Sequence, residues 1–521
     1  MDLPRRLVDR LPFEEAVGEE SNRPSNLLPS RVVENAMAGD GAAFADQIRS
    51  ETLAGLPIRP QETIWANKSA RHSRPASSLA IRERVLYRAL TQDAAEGVDL
   101  KARTTEEYAE FERAILNDAR TKYVVLADVA SFYQYIDHRD LEVAIVERAG
   151  KADVARALRD LLDELMQQSF GLPQGPGPSD VLSELTIGPV EQRMLRHGFS
   201  VTRYNDDFRI AARTWGDAVR AVRLLQSDLH RVGLAISEDK TVILTRAVYS
   251  SHINEVNQRV LEAFDRFQIS FDLVNEYSPD DDPDSDLDPE IGRAAAALLD
   301  SAITERRDPR RRLSGHALAA NTKLITLALG LMGRARNGDG LRHGPDLMAD
   351  EPSLARFYGP YVARILQWAG WHHNDSIPKE RPQDVSQAID SIAARIDSFA
   401  SPWQTVWVCQ ALTYPGVPLT PRLTEWLRLH SSLPVIGTLE ARALLMLAAH
   451  GAVTEDAVTS CFDSALPSSH PDLVAALMVL ARGTAPGSAA SSVIQAAGGG
   501  RQVADFVVSW PTTNRWMCMR F

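Results

Sequence analysis

Leu126-Ala127-Asp128-Val129-Ala130-Ser131-Phe132-Tyr133-Gln134-Tyr135-Ile136-Asp137-His138 is the stretch on which the reading of this sequence turns. The apolar run Tyr123-Val124-Val125-Leu126-Ala127 has the composition of a buried strand. Such a strand delivers Asp128 to a cleft while its own backbone stays inside. Farther along, Tyr204-Asn205-Asp206-Asp207 lies between Val201 and the apolar residues Phe208 and Ile210. It reads as a hairpin with a tight turn at the acidic pair. Adjacent aspartates repel one another unless a cation compensates them. With a third carboxylate they suit two Mg²⁺ ions, Mn²⁺ being the alternative, because such ions take oxygen ligands and substrate phosphates. Asp137 reads as a structural or capping residue.

Two further segments follow a fixed order. Gly171-Leu172-Pro173-Gln174-Gly175-Pro176-Gly177-Pro178-Ser179-Asp180-Val181-Leu182-Ser183 starts as a glycine- and proline-rich turn and then enters a helix. Gly175 carries no Cβ, so backbone there can approach a nucleotide closely. Gly233-Leu234-Ala235-Ile236-Ser237-Glu238-Asp239-Lys240-Thr241 places a lysine after a short strand. Upstream, Lys68, Arg71, Arg74, Arg82, Arg84 and Arg88 cluster, with Glu83 the only opposing charge among them.

Together these four segments resemble the signature motifs of reverse transcriptases. Asp128 with Tyr133 resembles motif A, and Leu172 to Gly175 with Ser179 resembles motif B. Tyr204 to Asp207 resembles motif C, and Gly233 to Thr241 resembles motif D. The resemblance runs from Pro60 to Ile243, less than half of the 521 residues. It implies that Asp128 and Asp206 are the principal metal ligands and Asp207 a supporting carboxylate, with the Val129 carbonyl completing one metal shell. One metal would activate a 3′-hydroxyl and the other would hold the triphosphate and stabilise leaving pyrophosphate. It further implies that Tyr133 stacks under the incoming sugar and collides with a ribose 2′-hydroxyl, which makes dNTPs the expected substrate. Gln174 and Gly175 would contact the nucleotide and template. Lys240 would protonate the leaving pyrophosphate, and Lys68, Arg71 and Arg74 are candidates to clamp the triphosphate.

Length and composition bound the rest. A chain of this size is expected to form two or three domains, and 44% apolar residues support a well-buried protein. The net charge of -12 argues against a uniformly basic surface, although a nucleic-acid groove can be basic on an acidic protein. No apolar run is long enough for a membrane span, and the Met1-Asp2-Leu3-Pro4-Arg5-Arg6 start is not expected to be a signal peptide. Cys409, Cys461 and Cys518 are scattered, without a metal or disulfide pattern, which fits a reducing cytosol. The acidic stretch Ser278 to Pro289, punctuated by prolines, reads as a linker. The expected fold is α+β. An N-terminal helical extension (1–59) precedes fingers and palm (60–250), a connector with that linker (251–290), and an all-α, HEAT-like helical-repeat unit (291–521). Two similar strings, Ala443 to Gly451 and Ala476 to Gly483, point to the repeat; an irregular bundle is the alternative. Helices are expected over Asp217 to Val232, over Thr438 to Gly451 with Thr438 as cap, and over Pro471 to Gly483.

A palm followed by a helical-repeat unit resembles the bacterial abortive-infection and defence-associated reverse transcriptases. That resemblance implies antiviral action in a bacterial cytoplasm, assembly into homotrimers or hexamers, and DNA extended from a protein hydroxyl, often without a conventional template. The DNA product would then be covalently attached. Tyr249, Tyr277, Tyr358, Tyr361 and Tyr414 are candidate priming residues. Two rival readings stand beside it. One is RNA-templated cDNA synthesis on a dedicated noncoding RNA, for which Arg306, Arg307, Arg310, Arg311 and Arg312 would form a basic patch. The other is a nucleotide-binding sensor with a non-catalytic palm. Trp371 to Asp375 and Arg336 to His343 read as loops, and the Met517, Met519 and Phe521 tail decides nothing.

Overall fold

The computed structural model describes residues 1–22, 27–29, 32–69, 72–100, 105–269, 287–308, 310, 313, 315–371, 381–395, 402–413 and 417–480. Arg71, Tyr277, Arg311, Arg312, Tyr414, Gly483, most of the acidic linker, the His372-His373 pair and the C-terminal tail lie outside the described residues.

Two antiparallel sheets organise the first half. A hairpin pairs β1 (Glu62–Asn67) with β2 (Ser73–Ser78), Ala66 facing Arg74. The larger sheet has four strands, β3 (Tyr123–Asp128), β4 (Ser200–Tyr204), β5 (Asp207–Ala212) and β6 (Val242–Thr245), in the order β4-β5-β3-β6. The expected hairpin at the acidic pair is β4–β5. The helix Trp215–His230 covers one face with Ala218, Ala221, Leu225 and Leu229. On the other face Val124 packs with Ile115, Tyr249 and Ile253. Burial on both faces is why β3 reads as an unbroken apolar run rather than an alternating one.

The helix Ile81–Ala95 is buried nearly all round, including Arg82, Glu83, Arg84 and Arg88. Three of the six clustered basic residues are thus taken into the core. Arg84 donates to Glu20 and Glu34, both at 2.5 Å, and Arg88 to Glu19 at 2.5 Å and to Glu20. Arg82 pairs with Glu83 at 2.5 Å. The acids that meet Arg84 and Arg88 come from the helices Phe13–Asn22 and Val32–Gly39, so that neutralisation is invisible to a reading of the basic stretch alone.

Beyond residue 287 the described chain is helical. Gly315–Arg334 packs on Ala355–Trp371, which packs on Pro402–Cys409, then Thr438–Ala449, then His470–Leu480. A parallel series runs Gly344–Asp350, Arg381–Arg395, Pro421–Ser431. The cap of Thr438–Ala449 is Gly437, whose N–H donates to Glu440 at 3.0 Å, and not Thr438. The Thr438 hydroxyl is engaged elsewhere, with Glu62 at 2.7 Å and Ser78 at 2.8 Å. Gly451 takes the left-handed φ of 64° expected of a terminating glycine.

The core does not divide at the linker. One apolar cluster joins Leu7, Phe13 and the palm to Ile436, Leu445 and Leu473. A second joins Leu27, Ile64, Ala66 and Ala76 to the helical unit, and Trp403 Nε1 donates to the Leu27 carbonyl at 2.5 Å. Arg306 pairs with Glu351 at 2.9 Å, and Arg307 with Asp346 at 2.5 Å and Asp350 at 2.9 Å. Those two arginines are therefore not a free basic patch. No described helix is long and apolar enough to cross a membrane.

Candidate active site

Asp128 ends β3 and Asp207 begins β5, and the two are register partners across the central pair of strands. Asp206 sits one residue back, on the turn, where Asn205 adopts φ 50°. Asparagine tolerates that left-handed backbone. Behind the turn the buried Arg203 donates to the Asn205 carbonyl at 2.8 Å, to Glu184 at 2.5 Å and to Glu191 at 3.0 Å. The hairpin is thereby strapped to the helix Gly177–Arg196. The Val129 N–H donates to the Asp206 carbonyl at 3.1 Å, and the Ser237 N–H to the Asp128 carbonyl at 2.7 Å.

These acids bear on one another. Burial, then the charge of Asp128, pushes the Asp206 carboxyl up to about 6, with Asp207 adding to it. Burial also raises Asp207, opposed by Arg209 at 3.6 Å. Lys240 Nζ, half exposed on a short 3₁₀ turn (Glu238–Lys240), donates to Asp128 Oδ2 at 2.7 Å. An ammonium thus already stands against one carboxylate of a mutually repelling set, which is the electrostatic setting a divalent cation fits. Among the described residues no three His, Cys, Asp or Glu side chains form a ready-made metal cage. Magnesium does not require one, since it binds through one or two carboxylates together with substrate phosphates.

Tyr133 lies on the turn Phe132–Gln134, which follows Ser131 at φ 46°. Its phenol donates to Asp180 Oδ1 at 2.5 Å, and its carbonyl accepts from the Leu172 N–H at 2.7 Å. Burial and the Asp180 charge hold the phenol well above its ordinary range. Gln174 is sewn to β2, its N–H donating to Ser77 Oγ at 2.9 Å and its carbonyl accepting from Ser77 N–H at 2.8 Å. Gly175 takes φ 114°, which only glycine adopts without strain. Ser179 Oγ donates to the Pro173 carbonyl at 2.5 Å, closing the loop onto its helix. Asp137 caps the helix His138–Ala149, accepting from Arg139 and Asp140 N–H groups at 2.9 and 3.0 Å.

Lys68 occupies the tip of the β1–β2 hairpin, where its N–H donates to the His72 carbonyl at 2.8 Å. Burial, then the like charges of Lys240 and Arg74, push its ammonium down. The candidate priming tyrosines fare differently. Tyr249, Tyr358 and Tyr361 are buried, their phenols donating to the carbonyls of Glu112, Leu341 and Asn337 at 2.8, 3.1 and 2.9 Å. An attacking phenol needs a free and accessible oxygen, and none of these three presents one in this conformation. Asp180, Arg203 and Arg209 are the functional neighbours that motif reading passed over. Asp180 lies inside the quoted Gly171–Ser183 stretch; the two arginines carried no signal beyond a charge within apolar strands.

A central-strand carboxylate set against two from an adjoining hairpin is the palm arrangement of nucleic-acid polymerases. Residues 66–268, less than half of the chain, match the family described as reverse transcriptase (RNA-dependent DNA polymerase). Domains of this family polymerise nucleic acid by nucleotidyl transfer. Nothing among curated proteins matches. Among solved structures, the telomerase of Candida tropicalis with a fragment of telomeric RNA aligns at TM-score 0.30 and 9% identity, covering 68% of this chain and 64% of that one. The telomerase of Candida albicans, also with telomeric RNA, aligns at 0.30 and 11%, with the same coverage. This chain thus spans under two thirds of those proteins' length.

Proposed function

We propose that this protein is a DNA polymerase that joins dNTPs by two-metal nucleotidyl transfer. The observation that carries the reading is the register of Asp128 against Asp207 with Asp206 on the adjoining turn. Asp128 and Asp206, with the Val129 carbonyl, would hold Mg²⁺, and Asp207 would support them. The bound ions would supply charge stabilisation and a deprotonated nucleophile. Lys240, half exposed and now on Asp128, would turn to the leaving pyrophosphate and give it a proton. Tyr133, anchored by Asp180, would exclude a ribose 2′-hydroxyl. Gln174 and Gly175 would meet the base pair, and Lys68, Arg71 and Arg74 the triphosphate.

The finer reading is a defence-associated bacterial enzyme that is protein-primed and independent of a conventional template, acting as a homo-oligomer. Its support is the resemblance in layout: a reverse transcriptase domain followed by stacked helices. With three tyrosines occupied in the core, a priming hydroxyl would come from Tyr277, Tyr414, a serine or a threonine.

The test is to purify the protein from its native host, treat aliquots with protease or ribonuclease, and sequence the attached DNA. DNA released only by proteolysis, with low-complexity sequence, supports protein-primed, untemplated synthesis. DNA complementary to one co-purifying RNA makes the enzyme a templated reverse transcriptase. No dNTP incorporation under any metal condition would sink the polymerase reading.

A further inference from the structure

His138 opens the helix His138–Ala149, yet its ring lies in the core, with the residue only 1% exposed. Its Nε2 is 2.6 Å from the Gly171 carbonyl oxygen and its Nδ1 2.6 Å from Asp163 Oδ1. A carbonyl only accepts, so Nε2 carries a hydrogen and donates it. Asp163, on the helix Ala152–Met166, grips the other ring nitrogen and holds the imidazole toward Gly171.

The bond lands where the Tyr133 turn meets the loop that carries Gln174 and Gly175. The His138 N–H donates to the Ser169 carbonyl at 3.0 Å, and the Gly171 N–H to the Ile136 carbonyl at 2.8 Å. The Leu172 N–H donates to the Tyr133 carbonyl at 2.7 Å. The Gly171 carbonyl and the Leu172 N–H belong to one peptide plane. His138 holds one edge of that plane and Tyr133 the other, so its tilt is fixed from both sides. Tilt matters here because the loop is bracketed by Gly171 at φ 95° and Gly175 at φ 114°. Glycine resists rotation least of all residues, and residues 172–174 would swing as a unit about an unheld Gly171. No bulkier residue can stiffen the position, since a Cβ there would stand 3.1 Å from Met166 Cε and 3.2 Å from the Gln134 carbonyl oxygen. The imidazole is the side-chain restraint at that hinge, and a substitution can remove it without touching the backbone bonds.

We propose that His138 is a positioning residue that fixes the Gly171–Leu172 peptide and thereby holds Gln174 and Gly175 in place against Tyr133. The inference rests on the polymerase reading, which makes Tyr133 the sugar gate and Gln174 and Gly175 the nucleotide contacts. It ties sugar selection and nucleotide binding to one buried ring.

The test compares two amide side chains in the full chain. His138→Gln puts an NH₂ group near the place of Nε2 and keeps a donor to Gly171. His138→Asn puts its amide near Nδ1 and leaves the Gly171 carbonyl without that donor. Amide exchange over residues 169–174, followed by mass spectrometry without nucleotide, should quicken about tenfold in the asparagine variant, the loss of one hydrogen bond, and stay near wild type in the glutamine variant. The asparagine variant should also raise the KM for dNTPs about tenfold with kcat within about threefold, and lower the preference for dNTP over rNTP about tenfold; glutamine should rescue both. Equal behaviour of the two variants would reduce His138 to a packing residue. Quickened exchange with unchanged KM and sugar preference would overturn the link to the nucleotide. Should neither variant fold, Asp163→Asn at the partly exposed carboxylate should move the same readings the same way by less, and no movement would overturn the proposal. If exchange follows the donor but the wild type never incorporates dNTPs, the tie between the two segments stands and the polymerase reading falls.

Discussion

Glu62 clasps the fingers hairpin to the helical unit, and removing its charge should loosen both. At the start of β1 its carboxylate accepts from the Thr438 N–H at 3.1 and 3.0 Å, from the Thr438 hydroxyl at 2.7 Å and from the Ser468 hydroxyl at 2.6 Å. Glu62→Gln preserves length but turns one acceptor oxygen into a donor that faces donors. A hydrogen bond to a charged group contributes about 1.5–3 kcal/mol. Contacts that share one carboxylate act together and do not sum, so the expected loss is about 2–4 kcal/mol. A chain with this much helical sequence beyond the palm need not unfold in one step, and amide hydrogen exchange resolves the effect locally. Exchange should quicken in Glu62–Ser78 and around Gly437–Glu440 and stay unchanged in β3 and β5. Thr438→Val should cost less, and the double variant should show a coupling of about 1–2 kcal/mol. Lys68 and Arg74 lie on the same hairpin, so the KM for dNTPs should rise as well. Unaltered exchange in the hairpin, with a stability change under about 0.5 kcal/mol, would refute the clasp.

Three further outcomes are expected. Asp206→Ala with Asp207→Ala should abolish dNTP incorporation while circular dichroism stays that of the wild type, and retained synthesis would remove these residues from the metal site. Tyr133→Val should admit ribonucleotides, and Asp180→Asn should do so more weakly by loosening the phenol, measured as the ratio of kcat/KM for dNTP and rNTP; unchanged ratios would take Tyr133 out of the gate. Burial pushes His430 and His470 down to about 4, below the ordinary value near 6.5. Their unfolded forms take up protons first, so the stability they contribute is whole above about 6.5 and is lost as pH falls toward 4. His430→Gln should flatten that part of the stability profile, and an unchanged slope would count against the neutral buried imidazole.

Much of the palm was legible locally. A strand ending in Asp128, a turn at Asp206-Asp207 and a glycine-rich loop before a helix are all short-range statements. Each depends on the apolar content of a few neighbours and on the backbone freedom of glycine or asparagine. The cap of the late helix was misplaced by one residue because Thr438 has a capping side chain, whereas Glu62, far away in the chain, claims its hydroxyl.

What the sequence by itself determined is therefore the order of the motifs, the acids and the lysine they carry, and a chain that turns helical after the palm. Charge balance belonged to the tertiary structure alone. The basic residues from Lys68 to Arg88 look alike in sequence, yet Arg82, Arg84 and Arg88 are neutralised by glutamates in the core while Lys68 lies at the hairpin tip under the influence of Asp128 and Asp206. The reason is physical: an ionised group's effect depends on what lies within a few ångströms and on how much water remains there, and neither is written in the spacing of residues along the chain.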